Sequence, residues 1–285
     1  MLNEAQVQSP LNSDEHVDNS RTNDTISVIN QSETIKTLEG KVCFFYLLSN
    51  EYLLIIKICL AALWLPLGAL IFCYVTASIF QGDDIHETHC KVYNVVPSIS
   101  AITGISPQRY VWRISVAFHL GPRLLIGSLY YNYHKERTSR ILAKKLGEAC
   151  YWLNFVELCA LTGVTYVSNR ENYFVHEKIF IVFMIVALCH MLCRALVGSL
   201  GSDTVQAVST NKLVWTLFWV AIAATLGLII FWLRHRLLCR PLAFTWFSVC
   251  EYILATANMA FHALVVRDLP LHELQVVNPA HCKTE

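Results

Sequence analysis

Residues 110–131 of the chain read YVWRISVAFHLGPRLLIGSLYY, a stretch long enough to cross a membrane that nevertheless carries Arg113, His119 and Arg123. A charged side chain near the centre of a bilayer costs about 2.5 to 3.5 kcal/mol on insertion scales, so it faces a protein interior, a watery cavity or the headgroups. Five of the six long apolar stretches in the chain carry ionisable residues or an asparagine. We therefore expect the functional site to lie inside the membrane.

The composition predicts an all-α fold, a polytopic bundle of six transmembrane helices. Hydrophobic residues make up 55% of the chain and charged residues 15%, and the mean hydropathy is +0.44. The apolar residues form blocks, and crossing about 30 Å of hydrocarbon takes roughly 20 helical residues. The predicted membrane domain covers residues 46–268, with spans near 53–80, 111–131, 149–168, 179–200, 213–233 and 242–266.

The two ends of the chain differ from this domain. Residues 1–45 are rich in Asn, Ser, Thr and acidic residues, too polar to bury a core, so we predict a disordered tail. The tail lacks the pattern of a cleaved signal peptide, so the first span is expected to target the chain to the membrane. Residues 269–285 are predicted to form a second, short tail.

The distribution of Lys and Arg predicts the orientation in the membrane. Five of them lie in residues 132–148, whereas residues 169–178 contain two. This places 132–148 and both tails in the cytosol, and the connections at 81–110, 169–178 and 234–241 in the lumen. Arg234, Arg236 and Arg240 in the last connection oppose this prediction, as do two glycosylation sequons at Asn23 and Asn30.

The eleven cysteines fall into two groups. Most lie in or beside apolar spans, where a thiol packs as a small hydrophobic group. Cys90 and Cys239 lie in the predicted luminal connections, where the compartment is oxidising, so we predict a disulfide between them. His86 and His89 precede Cys90, but the second ligand pair of a zinc site is missing, so no metal site is predicted.

Several function classes find no support in the sequence. The net charge is +1, and no basic run with interleaved aromatic residues indicates nucleic-acid binding. The spans show no internal repeat of the kind that many transporters have. A Gly-x-Ser-x-Gly motif is absent, and no histidine is followed by aspartate four residues later.

Specific motifs make the chain resemble the members of the Frag/DRAM/Sfk membrane protein family that remodel glycosylphosphatidylinositol (GPI) anchors. They include THC at 88–90, PSISAI at 97–102, PQRYVWR at 107–113 and NMAFH at 258–262, and the resemblance covers about residues 60–268. It implies a multi-pass protein of the Golgi apparatus or late endoplasmic reticulum. Its implied role is reacylation of lyso-GPI with a saturated chain after the anchor is attached. The implied partners are lyso-GPI-anchored proteins and lipid, and other GPI-remodelling enzymes.

Acyl transfer from a thioester donor such as acyl-CoA needs a general base, oxyanion donors and a cation for the anchor phosphate. His119 and Arg123 are four residues apart and share a helix face, as do Asn258 and His262, with Glu251 two turns earlier. Arg109 and Arg113 flank the luminal start of the second span. No bound cofactor is predicted. We predict catalytic roles for His119, His262, Asn258 and Glu251, and substrate binding by Arg109, Arg113 and Arg123.

Each candidate also has a structural interpretation. A histidine in a membrane often makes an interhelical hydrogen bond worth about 0.6 kcal/mol, and Arg123 has a possible ion-pair partner in Glu157. His190, near Arg194 on one face, is a weaker candidate for the base. The alternatives are therefore a lyso-GPI acyltransferase, a non-catalytic lipid-binding or scaffold subunit for the true enzyme, and a DRAM-like lysosomal membrane modulator.

Overall fold

The computed structural model of the protein describes residues 57–92, 94–137, 140–201 and 205–268. The predicted tails at 1–45 and 269–285 lie outside the described residues, as does the predicted start of the first span. Within the described ranges every regular element is a helix, and no strand occurs. The long helices are α1 (Lys57–Phe80), α4 (Gln108–Arg137), α5 (Ile141–Tyr166), α6 (Tyr173–Gly201), α7 (Val205–Leu238) and α8 (Ala243–Ala263), and the short ones are α2 (Gly82–His86), α3 (Ile99–Gly104) and α9 (Val265–Asp268).

Three of the long helices, α1, α6 and α7, are long and apolar enough to cross a membrane by length and composition, with mean hydropathies of 2.3, 2.4 and 2.3. The other three contain more polar residues. The helices α4, α6 and α7 run past the predicted span limits at both ends, as when α4 begins at Gln108 instead of 111 and ends at Arg137 instead of 131. In contrast, α8 lies within its predicted limits, and α5 begins before its predicted start but ends at Tyr166, short of 168. Hydropathy marks only the apolar part of a helix, whereas the headgroup regions add about 10 to 15 Å over which the helix continues.

The largest apolar core forms where α6, α7 and α8 meet. Met191 of α6, Phe218 of α7 and Phe261 of α8 are buried there. A Cβ atom on Gly227 of α7 would overlap the Sγ atom of Cys250 on α8, so the close approach of these helices requires glycine. Within a membrane, where burial from water does not drive helix association, such close packing supplies much of the stabilisation.

Residues 81–92 and 94–107, between α1 and α4, form a cap at the end of the bundle that holds the α5–α6 and α7–α8 turns. The cap is attached at several points. Arg170 donates to the Asp84 carbonyl at 2.6 Å, and Thr245 donates to Asn94 Oδ1 at 2.7 Å. A disulfide also joins Cys90 in the cap to the α7–α8 turn. The Lys- and Arg-rich α4–α5 connection lies at the opposite end.

Candidate functional site

The polar centre of the bundle is the carboxylate of Glu157, which lies in the middle of α5 with 1% of its surface exposed. Its Oε1 atom accepts from Asn258 Nδ2 and His262 Nε2, both at 3.0 Å, and lies 3.4 Å from Arg123 Nη2. Its Oε2 atom accepts from His190 Nδ1 at 2.6 Å. Three helices, α4, α6 and α8, thus send polar side chains to one carboxylate of α5. We call these five residues the Glu157 centre.

The carboxylate fixes which ring nitrogens of the two histidines carry a proton. An ionised carboxylate only accepts hydrogen bonds, so His262 donates through Nε2 and His190 donates through Nδ1. In neutral imidazole the other nitrogen is then an acceptor, which is Nδ1 in His262 and Nε2 in His190. A carboxylate that orients a histidine in this way is the arrangement that prepares a general base in hydrolase triads.

The charges of the Glu157 centre balance without any further ion. Arg123 is 5% exposed and pairs with Glu157, and its Nη2 atom also donates to Asn154 Oδ1 at 3.2 Å. A buried pair of this kind is tolerated only when additional hydrogen bonds satisfy the remaining atoms, which Asn154, Asn258 and the histidines do. Among the described residues, Arg123 makes its contacts through Nη2, which leaves Nε and Nη1 for a ligand.

Glu157, His190 and His262 also form a possible metal-ligand set, with donor atoms within 4.8 Å of one another. Two histidines and a glutamate are a donor set that catalytic zinc uses. The Arg123 guanidinium, however, already lies against Glu157 Oε1, and it would repel a divalent cation bound to the same oxygen. The residues present therefore fit an ion-pair network better than a metal site.

His119 on α4 is held by a different acceptor. Its Nδ1 atom lies 2.6 Å from the carbonyl oxygen of Ala62 on α1, so Nδ1 donates and Nε2 is the acceptor nitrogen. The Ala62 carbonyl is available because residue 66, whose N–H would bond it within the helix, is proline. Pro66 thus creates the acceptor that orients His119, which is 4% exposed.

A central cavity of about 140 Å³ lies beside the Glu157 centre. His119, Arg123, Asn258 and His262 contribute to its wall at the end away from the cap. The rest of the wall is largely apolar and includes side chains of α1, α5, α6 and α8. An engineered cavity of about 150 Å³ holds a small apolar molecule such as benzene, so this one has room for an apolar fragment beside the polar groups.

Glu251 lines the cap end of the central cavity, apart from the Glu157 centre. Its Oε2 atom accepts from the backbone N–H of Ile99 at 2.8 Å, and the Ser98 hydroxyl accepts from the Ala101 N–H at 3.1 Å. Both contacts hold the start of the short helix α3. The sequence grouped Glu251 with Asn258 and His262, but the structure brings only the latter two together, and their shared partner is Glu157.

Arg109 and Arg113, predicted to bind an anchor phosphate, both contact Glu171 in the α5–α6 turn. Arg113 Nη2 lies 2.5 Å from Glu171 Oε2, and Arg109 Nη1 lies 3.4 Å from Oε1. The backbone N–H and hydroxyl of Ser168 also donate to Glu171, and with help from Arg113 they lower the pKa of this carboxyl from 4.5 to about 2. A phosphate bound here would share both arginines with Glu171.

The structure joins Cys90 and Cys239, the two cysteines expected to pair, with their Cα atoms 5.6 Å apart. This bond also bears on the alternative metal site in the cap. Because the Cys90 sulfur is used in the disulfide, no thiolate is available there to complete a site with His86 and His89. His86 instead contacts backbone carbonyls of Gly82 and Val95.

Sequence reasoning underestimated two members of the Glu157 centre. The sequence indicates Glu157 only as a partner of Arg123, and it favours His119 over His190 as the base. One signal was present in the sequence, since Glu157 is the only charged residue in the predicted span at 149–168. A lone carboxylate in an apolar span is by default a functional hypothesis with a partner to be found.

Comparison with known proteins gives one family and several relatives. Residues 55–272 match the model of the Frag1/DRAM/Sfk1/Cwh43P N-terminal domain. Over 267 residues the chain is 45% identical to the Drosophila melanogaster protein named post-GPI attachment to proteins factor 2-like, covering 90% of this chain and 80% of the relative. It is 33% identical over 220 residues to acyltransferase PGAP2 of Xenopus tropicalis, covering 75% and 87%. No solved structure shows significant similarity.

Proposed function

Because this chain belongs to the Frag1/DRAM/Sfk1/Cwh43P family, we propose that it remodels the lipid of GPI anchors after their attachment to protein. The proposed step is reacylation of lyso-GPI with a saturated chain, in the Golgi or late endoplasmic reticulum membrane. The substrates are lyso-GPI-anchored proteins and an acyl thioester such as acyl-CoA. The names of the relatives support the pathway, and the Glu157 centre supports the reaction type.

The proposed topology has six spans, formed by α1 and α4 to α8. The helices α4, α5 and α8 contain 30, 26 and 21 residues, enough to cross about 30 Å of hydrocarbon. Of the charged residues in these helices, Arg123, Glu157 and Glu251 are buried. Arg123 and Glu157 contact each other, and Glu251 accepts from the Ile99 N–H. Four of the proposed spans, α4 to α7, separate Cys90 from Cys239, and only an even number of crossings returns the chain to the side where the two can pair. That oxidising side lies opposite the basic α4–α5 connection, as the positive-inside rule requires.

One observation carries the catalytic proposal. Glu157 accepts the Nε2–H of His262, so Nδ1 is the acceptor nitrogen of this histidine, which lies in the cavity wall. In the proposed reaction His262 takes the proton of the lyso-lipid hydroxyl as its oxygen attacks the thioester carbonyl. The carbon–sulfur bond then breaks, and the proton passes from His262 to the departing thiolate. The Nε and Nη1 groups of Arg123, which have no partner in the described part of the chain, can stabilise the oxyanion.

A second candidate function is lipid binding without catalysis. The observation that favours it is that the Glu157 centre is complete within the protein, because Asn258, His190 and Arg123 all contact the carboxylate. Such a network also serves to fix helix packing. In this case the protein would present lyso-GPI to a separate acyltransferase.

The test uses cells that lack the endogenous factor and express this chain or His262→Ala, with His89→Ala in the cap as the matched control. We expect the wild-type chain and the control to restore anchors with saturated lipid, whereas His262→Ala expresses normally but leaves lyso-GPI proteins to leak from the surface. Full rescue by His262→Ala would refute its role as the base. No rescue by the wild-type chain would refute the pathway.

Two further measurements decide between the alternatives. The first is the conversion of lyso-GPI with stearoyl-CoA by the purified protein. Conversion by this protein alone would show that it is the acyltransferase, whereas a requirement for a second polypeptide would favour the scaffold function. Staining of the expressed chain in the Golgi is expected, and lysosomal staining would instead favour a DRAM-like role.

A further inference from the structure

The central cavity is elongated along the bundle. Its lining runs from Cys59 to Leu70 on α1, from Trp112 to Ile126 on α4 and from Glu251 to Ala263 on α8. At about 1.5 Å of rise per helical residue, these stretches measure roughly 16, 21 and 18 Å. The cavity therefore extends over more than half of a hydrocarbon core about 30 Å thick.

The volume of the cavity indicates its width. The centres of water-sized spheres have about 140 Å³ available. Spread over about 18 Å, this volume corresponds to a channel roughly 6 Å across once a sphere radius of about 1.4 Å is added on every side. Carbon atoms in contact lie about 3.5 to 4.0 Å apart, so the channel has room for one hydrocarbon chain but not for two side by side.

The length of the cavity can be expressed in carbon atoms. With single bonds of about 1.52 Å and angles near 111°, an extended chain advances about 1.25 Å per bond. A cavity of roughly 16 to 21 Å therefore takes about 13 to 17 bonds, which corresponds to a chain of about 14 to 18 carbons.

The two ends of the cavity differ in the polar atoms that they offer. At the cap end, Glu251 accepts from the Ile99 N–H, the Thr103 hydroxyl donates to the Ile99 carbonyl, and His176 contacts the Val167 carbonyl. Each of these side chains therefore already makes a hydrogen bond to a backbone group. At the other end, the Nε and Nη1 groups of Arg123 have no partner among the described residues, so they can donate to a carbonyl oxygen.

We propose that the central cavity measures the acyl chain that is transferred: one extended chain of about 14 to 18 carbons lies along it, with its carbonyl at the Glu157 centre and its methyl end against α3. This inference rests on the proposed function. The cap sets the maximum length because α3 closes that end and is held by Glu251 and, through the cap, by the Cys90–Cys239 disulfide.

The test combines rescue of cells lacking the endogenous factor with mass spectrometry of the lipid on a GPI-anchored reporter. Ser100→Phe adds bulk at the closed end and is expected to shorten the incorporated chain by about two carbons, or roughly 2.5 Å. Leu70→Ala removes bulk there and is expected to lengthen it. Val95→Phe on the exposed side of the cap and Ile71→Ala on the exposed side of α1 are the controls, and they should leave the chain distribution unchanged.

The outcomes separate this inference from the proposed function. If the wild-type chain fails to restore remodelling, the proposed function is wrong. If it restores remodelling but both cavity variants incorporate the wild-type chain distribution, the measuring site is wrong. Should both variants lose all activity, binding of an acyl-CoA series to the purified wild-type protein decides. Tightest binding of palmitoyl- and stearoyl-CoA supports the proposal, and equal affinity for decanoyl- and stearoyl-CoA overturns it.

Discussion

Replacing Glu157 by glutamine tests whether this carboxylate organises the bundle interior. Glutamine keeps the size of the side chain but removes the negative charge that faces Arg123 at 3.4 Å. It also replaces one acceptor oxygen by an NH₂ group. The glutamine side chain then has a single acceptor oxygen and cannot accept from His190 and His262 in their present positions. The variant leaves the buried guanidinium without a counter-charge and forces at least one histidine to change its tautomer or its contact.

The expected cost follows from the burial of the pair. Removing one partner of a buried ion pair destabilises a protein by about 3 to 5 kcal/mol, because the remaining charge is uncompensated. For a domain of this size, 1 kcal/mol corresponds to roughly 2 to 4 °C in Tm, so Glu157→Gln should lower Tm by on the order of 6 to 20 °C. Removing both charges with Arg123→Gln/Glu157→Gln should cost less than the two single changes together, with a coupling of about 2 to 3 kcal/mol.

The assay is thermal unfolding of the detergent-purified variants under identical conditions. Glu148→Gln on the same helix, at an exposed position, is the control and should leave Tm within about 2 °C of the wild-type value. Two results would refute the reasoning. One is an unchanged Tm for Glu157→Gln, and the other is a double variant whose loss equals the sum of the single losses.

Three further predictions concern other parts of the molecule. Pro66→Ala restores an N–H that competes with His119 for the Ala62 carbonyl. We expect weaker anchor remodelling together with a higher Tm, because proline in a helix interior costs about 3 kcal/mol. Leu67→Ala is the control, and unchanged remodelling by Pro66→Ala would contradict the role of Pro66. The carboxylate of Glu171, with its pKa lowered to about 2, stabilises the fold fully above the ordinary value of 4.5 and loses this contribution as pH falls through about 2; the Tm difference between wild type and Glu171→Gln should therefore shrink on acidification, and a constant difference would contradict it. The Cys90–Cys239 disulfide closes a loop with a sequence separation of 149, so its reduction should lower the free energy of unfolding by up to about 5 kcal/mol. Non-reducing peptide mass mapping checks the pairing, and two free thiols in protein from the secretory pathway would contradict it.

The sequence predicted the helical segments because each carries a local signal, an apolar block of the length of a membrane span. It also indicated that His119 and Arg123, and likewise Asn258 and His262, share a helix face, since a spacing of four residues is enough for that. All four line the central cavity.

The contacts between helices could not be predicted in the same way. Glu157 lies 101 residues from Asn258 and 105 from His262, and nothing in spacing or hydropathy pairs residues that far apart. Arg113 similarly finds Glu171 across 58 residues. The effect of Pro66 on His119 likewise depends on how α1 and α4 are aligned. In each case tertiary packing determines the chemistry of a residue whose position in a helix was already clear.

The two cavity histidines differ in what happens when they accept a proton. A protonated His262 would donate to the charged carboxylate of Glu157, and ion pairing of this kind stabilises the imidazolium of a general base. A protonated His119 would donate to the Ala62 carbonyl, which is a dipole and not a charge. The Arg123 cation lies near both histidines, since it also contacts the Glu157 oxygen that holds His262. In the proposed reaction, direct contact with the Glu157 carboxylate favours His262 over His119 as the base, and we propose that His119 positions α1 against α4. On this proposal the hydrogen bond between His119 and the Ala62 carbonyl, which Pro66 leaves available, maintains the shape of the cavity, and the Glu157 centre supplies the base.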